Sequence, residues 1–193
     1  MKIAITGGIG SGKSYVCKCL AKRGIKVYDC DAAAKRLMRS PDIKEQLCAL
    51  VGNDLYRDGL LVKSVMSRFL LASEENARAV NDIVHPAVAH DFEESGYDWM
   101  ECAIFFGSGF NHRVKIDKVI CVTAPIDVRI SRVMGRDGIS YEKTAEWIRS
   151  QQPQEEILRL SDYEIVNDRI HDIDKQLDAI LEALRIAVPC TAE

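Results

Sequence analysis

The sequence predicts an α/β fold, a parallel sheet of five strands covered by helices. Three observations carry this. Short strand-like runs recur at residues 3–6, 26–28, 99–106, 119–123 and 164–166, with helical patterns between them, and such alternation builds βαβ units. Residues 7–14 read Gly-Gly-Ile-Gly-Ser-Gly-Lys-Ser, a match to G-x-x-x-x-G-K-[ST], and lie between the first run and a helical stretch at 14–20. A glycine loop in that context marks a phosphate site rather than a chance turn. The length, 193 residues, suits one domain with a sizeable core and room for an inserted subdomain.

The elements follow in order. Residues 3–6 are apolar, as a buried first strand is, and Gly24 ends the helix that follows the loop. Residues 32–39 read as a short helix closed by Ser40-Pro41. From 43 to 94 no strand is evident. Leu70, Leu71, Val80, Ile83 and Val84 suggest several helices there, Asp58-Gly59 a turn, and His85-Pro86 a junction with Pro86 in the first turn of the next helix. This is more helix than a crossover needs, so residues 41–96 are expected to form an acceptor-binding subdomain. Arg129, Arg132 and Arg136 follow the fourth strand on one helix face. That face is either solvated or part of a lid, residues 135–152, that closes over phosphates. In the last helix Ile173, Leu177, Ile180, Leu181, Leu184 and Val188 fall on one buried face.

The chemistry concentrates in the loop. Its glycines let successive N–H groups of Gly8, Ile9, Gly10, Ser11 and Gly12 turn toward an anion, and the new helix adds its positive end. Lys13 reaches the β- and γ-phosphates, and the Ser14 hydroxyl is placed to ligate Mg²⁺. The chain is therefore expected to bind a nucleoside triphosphate. Asp29-Cys30-Asp31 stands at the carboxyl end of the second strand, where open α/β sheets form their ligand crevice. Asp31 can aim an attacking hydroxyl, help to hold Mg²⁺ through water, or cap the helix that follows. Of the three arginines, Arg136 beside the Gly138 turn is best placed to neutralise a moving phosphoryl group. His85 reads as structural.

Composition excludes several classes. With 26 basic against 29 acidic residues the net charge is −3, and no long basic block appears, so nucleic acid is not an expected partner. Seven scattered cysteines (17, 19, 30, 48, 102, 121, 190) without a C-x-x-C pair point to reduced thiols in the cytoplasm rather than a disulfide frame or zinc site. No signal peptide or membrane-spanning run is expected, and no obligatory protein partner is evident. Asn-Lys-x-Asp and Asp-x-x-Gly are missing, against a GTPase-like switch, and Lys13 or Tyr15 stands where a dinucleotide fold needs its third glycine. A nucleoside or nucleoside-monophosphate kinase, and a non-catalytic nucleotide-binding module, remain as alternatives.

Residues 5–14, Val27-Tyr28-Asp29-Cys30-Asp31, Asp58-Gly59-Leu60, His85-Pro86, Ser108-Gly109-Phe110, Asp117-Lys118-Val119-Ile120 and residues 132–137 together resemble the dephospho-CoA kinase family. The resemblance spans nearly the whole chain. It implies a P-loop NTPase three-layer fold with sheet order 2-3-1-4-5, a helical acceptor insertion and a lid. It implies transfer of the ATP γ-phosphate, with Mg²⁺, to the ribose 3′-hydroxyl of dephospho-CoA. By resemblance Asp31 is the catalytic base, and Lys13 and Arg136 flank the transferred phosphate. The nucleotide contacts run from Gly8 to Tyr15 with Asn167 in an adenine-contacting loop. Thr6, Asp31, Lys63 and His85 fall on the acceptor side. The chain departs from the family pattern at Tyr15 (commonly Thr), Lys63 (Arg), Ala103 (Pro) and Gly107 (Glu).

Overall fold

The computed structural model describes residues 1–186, in two compact units: Asp29–Gly96, and Met1–Tyr28 with the chain from Tyr97 onward. Val188 and Cys190, placed by the sequence on the last helix face and among the reduced thiols, lie outside the described residues. In chain order the sheet-bearing unit begins with β1 (Ile3–Thr6), α1 (Lys13–Lys22) and β2 (Val27–Asp29). The helical unit holds α2 (Cys30–Leu37), α3 (Pro41–Val51), the two-residue strands β3 (Tyr56–Arg57) and β4 (Leu60–Leu61), α4 (Lys63–Ala72) and α5 (Glu74–Glu94). The chain then continues through β5 (Trp99–Glu101), β6 (Lys118–Thr123), α6 (Ile126–Asp137), α7 (Tyr141–Arg149), α8 (Gln154–Arg159), β7 (Tyr163–Val166) and α9 (Ile173–Ala183).

The main sheet runs β2-β5-β1-β6-β7, which is 2-3-1-4-5 when its own strands are counted in chain order. Central β1 pairs in parallel with β5 and β6, and β6 with β7. All four β1 residues are buried, as a strand covered on both faces must be. Ile3 and Ile5 join Val16 and Leu20 of α1, Ile120 and Val122 of β6, and Ile173, Leu177, Ile180 and Leu181 of α9 in one core. The α9 periodicity read from the sequence is thus the face that closes this core. Helix α1 ends where Gly24 predicts. The amide of Gly24 donates to Ala21 O (3.0 Å) and that of Ile25 to Leu20 O (3.1 Å), the paired bonds of a Schellman stop.

Four local expectations are corrected. The stretch from 43 to 94 is not free of strands. Asp58 (φ 50°) and Gly59 (φ 78°) form the two-residue loop of the β3–β4 hairpin, the left-handed pair that such a loop requires. Strands two residues long leave no alternation to detect. His85-Pro86 is no junction, because α5 runs unbroken with Pro86 inside it. The stripe Val80, Val84, Val88 and Phe92 stays buried on both sides of the proline. Pro86 brings no N–H to the carbonyl of Asp82 one turn back, and both residues are solvent-exposed. The third strand ends at Glu101 instead of Phe106. Beyond it, Gly109 N bonds Phe106 O (2.9 Å), and Phe105 packs edge-on against Phe110, so apolar residues fill a folded turn. Finally, α2 starts at Cys30 and its cap is Asp29, whose carboxylate accepts the Ala32 N–H (2.8 Å). Asp31 sits in the first turn and is not the cap.

Leu177→Ala, at a side chain with 0% exposure, should cost about 2–5 kcal/mol of stability, read from the denaturant midpoint. A cost under about 1 kcal/mol would remove the α9 face from the core.

Candidate active site

Glycine is required at one end of the loop. Gly12 caps α1 in the left-handed region (φ 96°), and a Cβ there would run into the Asn167 carboxamide. Lys13 opens the helix and is buried, with its ammonium donating to the carbonyls of Gly7 (2.8 Å) and Gly8 (3.3 Å). Ser14 and Tyr15 follow in the first turn and are exposed.

Three side chains hold consecutive loop carbonyls from outside. Arg129 Nε donates to Ile9 O (2.9 Å), and Arg132 Nη1 to Gly10 O (3.3 Å) and Ser11 O (3.2 Å). Asn167 Nδ2 also donates to Ser11 O (2.9 Å), while its Oδ1 accepts from Arg132 Nη2 (2.9 Å). In a trans peptide the C=O and the following N–H point opposite ways. Pinning the carbonyls of residues 9 and 11 outward therefore turns the Gly10 and Gly12 amides inward. They join the first-turn amides of Lys13 and Ser14, which a helix leaves without internal partners. The result is an anion cradle at a positive helix end. The hydroxyls of Ser11 and Thr6 are buried and, among the described residues, have no hydrogen-bond partner. Such orphaned polar atoms mark a place built for a polar ligand.

The structure gathers Thr6 and residues 8–14 with Arg132 and Asn167 in the sheet-bearing unit. Asn167 spends both ends of its carboxamide on the loop and on Arg132. Arg136 lies at the end of α6 with its Nε and Nη2 on the two oxygens of Asp137 (2.8 and 2.7 Å). This fork raises the Arg136 pKa and holds the Asp137 carboxyl below its ordinary value. In the 135–152 segment, Ala145 and Ile148 of α7 pack on Ile130, with Ile9 and Met134 against them. Gln151 Oε1 accepts the Ile9 N–H (2.7 Å). In the helical unit, exposed Asp31 is on α2, exposed Lys63 begins α4, and His85 is buried on α5. Helices α2, α3 and α4 all pack on α5.

Sequence reasoning missed the Gln151 contact and the burial of Arg129. An uncharged glutamine between Ser150 and Gln152 carries no local signal, and an arginine three residues before another reads as solvated. Burial lowers the pKa of both Arg129 and Arg132. It also pushes the Cys121 thiol on β6 up to about 12, with Glu164 adding to the rise and Lys13 and Arg129 opposing it.

A family model described as dephospho-CoA kinase matches residues 1–172. The chain belongs to the dephospho-CoA kinase family. A dephospho-CoA kinase of Porphyromonas gingivalis is 38% identical, over 97% of this chain and 96% of that protein. A solved Thermus thermophilus protein superposes with a TM-score of 0.82 at 30% identity, covering 95% of this chain and 97% of that one. The dephospho-CoA kinase of Campylobacter jejuni, at 19% identity and a TM-score of 0.65 over 95% of this chain and 98% of that one, shares the fold.

Dephospho-CoA kinases are ATP-dependent phosphotransferases, and the cradle fits a polyphosphate donor. Among the described residues no group of three or more His, Cys, Asp or Glu could hold a metal ion, and no helix is long and apolar enough to cross a membrane. At family-variant Gly107, a Cβ would come 3.6 Å from Gln152 Oε1, ordinary contact distance.

Gly12→Ala should weaken MgATP binding by at least about tenfold in calorimetric titration, since the left-handed cap and the Asn167 contact are both lost. Unchanged affinity would show that the cradle tolerates a different loop path. Beyond β7, Asp168 accepts the N–H groups of His171 and Ile170 (2.9 Å each) and faces His171 Nδ1 (2.8 Å). The backbone bond from His171 foremost holds its carboxyl well below the usual carboxylate range. A depressed folded pKa means the unfolded chain binds the proton more tightly, so this stabilisation is present above about pH 4 and fades as pH falls. Asp168→Ala should therefore lower thermal stability at neutral pH, with the gap to wild type closing in acid.

Proposed function

We propose that the chain transfers the γ-phosphoryl group of ATP to the ribose 3′-hydroxyl of dephospho-CoA, giving CoA and ADP. The observation that carries this reading is the braced amide cradle, lying within a chain that matches the dephospho-CoA kinase family along residues 1–172. The cradle amides and the Lys13 ammonium hold the β- and γ-phosphates. Mg²⁺, held by the Ser14 hydroxyl with nucleotide oxygens and water, would neutralise charge building on the transferred group. The 3′-oxygen forms its bond to the γ-phosphorus as the bond to the β,γ-bridging oxygen breaks, and that oxygen leaves on ADP.

Asp31 aims the hydroxyl and takes its proton. In a loose transition state little proton transfer has occurred when the P–O bond breaks, so the aim matters most. Arg136 exchanges the Asp137 carboxylate for the moving phosphoryl oxygens. Tyr15 and Asn167 border the nucleotide, Thr6, Lys63 and His85 belong to the acceptor side, and residues 135–152 act as the lid that excludes water. We place the protein in the cytoplasm, where the thiols at 17, 19, 30, 48, 102 and 121, none of them in a disulfide, stay reduced. No nucleic-acid, membrane or obligatory protein partner enters this scheme.

Incubation with MgATP and dephospho-CoA should yield ADP and CoA, and an acceptor panel of nucleosides and nucleoside monophosphates should show far lower kcat/KM. ATP binding without turnover on dephospho-CoA would overturn the reading. Asp31→Ala should lower kcat by about 10²–10⁴ with little change in ATP affinity. A matching loss of ATP affinity would make Asp31 a metal anchor instead.

A further inference from the structure

Beside the loop lies a buried cation whose hydrogen bond braces the cradle but whose charge the scheme above leaves unemployed. Arg129 is 6% exposed. Its Nε holds Ile9 O at 2.9 Å, its Nη2 lies where a Cβ on Gly8 would be, and its own backbone closes on Gly10. Among the described residues no carboxylate forms an ion pair with it, and Glu155 acts on it only through longer-range attraction. A guanidinium does not escape burial by losing its proton. A charge withdrawn from water without a close counter-charge destabilises the fold that holds it. That cost falls when an anion settles nearby.

We propose that Arg129 is a positioning residue for the nucleotide polyphosphate, fixing Ile9 in place and supplying a buried positive charge that the incoming phosphates offset. The proposal deepens the nucleotide side of the function given above and rests on it. Burial also explains why the Arg129 pKa is lowered, since desolvation disfavours the charged form. The ligand chemistry is a polyphosphate chain, with no demand on the base or the acceptor. Charge and tether predict opposite effects in the two states. Removing the charge relieves the ligand-free protein and weakens the complex, whereas a purely structural arginine would stabilise both alike.

The test compares wild type with Arg129→Met and Arg129→Lys, full length, by thermal unfolding and calorimetric titration with MgATP, MgADP and magnesium tripolyphosphate. Arg129→Met should melt no lower than wild type without ligand. It should gain less from each ligand and bind all three about tenfold more weakly, ~1.4 kcal/mol by the standard relation. Arg129→Lys, which keeps the charge, should recover most of the ligand-induced gain. If Arg129→Met does not fold, Arg129→Gln, which keeps a donor for Ile9, takes its place. A lower ligand-free melting point with unchanged ligand gains would overturn the proposal, as would a loss seen with ATP but not with tripolyphosphate. So would an Arg129→Lys as weak as the neutral variant. Wild type that fails to bind MgATP would instead overturn the functional reading. Wild-type binding with an unaffected Arg129→Met overturns this inference alone.

Discussion

The loop's usefulness depends on where its carbonyl oxygens go. A glycine-rich segment has no side chains with which to choose between amides-in and carbonyls-in, and the latter would repel phosphate. Donors from α6 and from the end of β7 make the choice by holding the carbonyls of Ile9, Gly10 and Ser11. The sheet order places those donors. β6 and β7 lie in succession beside β1, so the residues that follow each come back to the loop that follows β1. The buried cations also account for the tight closure at Gly8, Gly10 and Gly12, where any side chain would displace an arginine or Asn167.

The legible parts of the molecule were those whose signal is local. The five sheet strands, the loop between β1 and α1, the Gly24 stop and the α9 face each follow from a few neighbouring residues. The resemblance supplied the strand order, which the structure bears out. What escaped depends on partners distant in sequence. Arg129 is buried because Ile9, 120 residues away, needs a donor, and Gln151 meets the same residue across 142 positions. Pro86 looked like a boundary because helix propensity says so, yet three helices packed on α5 outweigh one missing bond. The β3–β4 hairpin announced its turn and hid its strands, which are too short to alternate.

The helical unit has its own logic. Its four helices share α5 as a spine, and Tyr56 ties the hairpin to α2 through a hydrogen bond to the Met38 carbonyl at the close of that helix. Of the four acceptor-side residues named from the family, Asp31, Lys63 and His85 stand on three different helices, α2, α4 and α5. Their separation therefore depends on interhelical packing, not on any one segment. Of these three only His85 is buried, so at Asp31 and Lys63 the side chain can be changed without opening a void.

The Asp29 cap, set beside the role proposed for Asp31, gives the two aspartates of Asp-Cys-Asp unequal chemical duties. Holding the Ala32 amide needs an oxygen lone pair, which an asparagine offers as well as an aspartate. Taking the proton of a hydroxyl needs a carboxylate, which asparagine lacks. On the mechanism proposed above, two letters that are interchangeable on paper are a scaffold and a reagent, so amidation of the first is a small perturbation where amidation of the second is a change of chemistry.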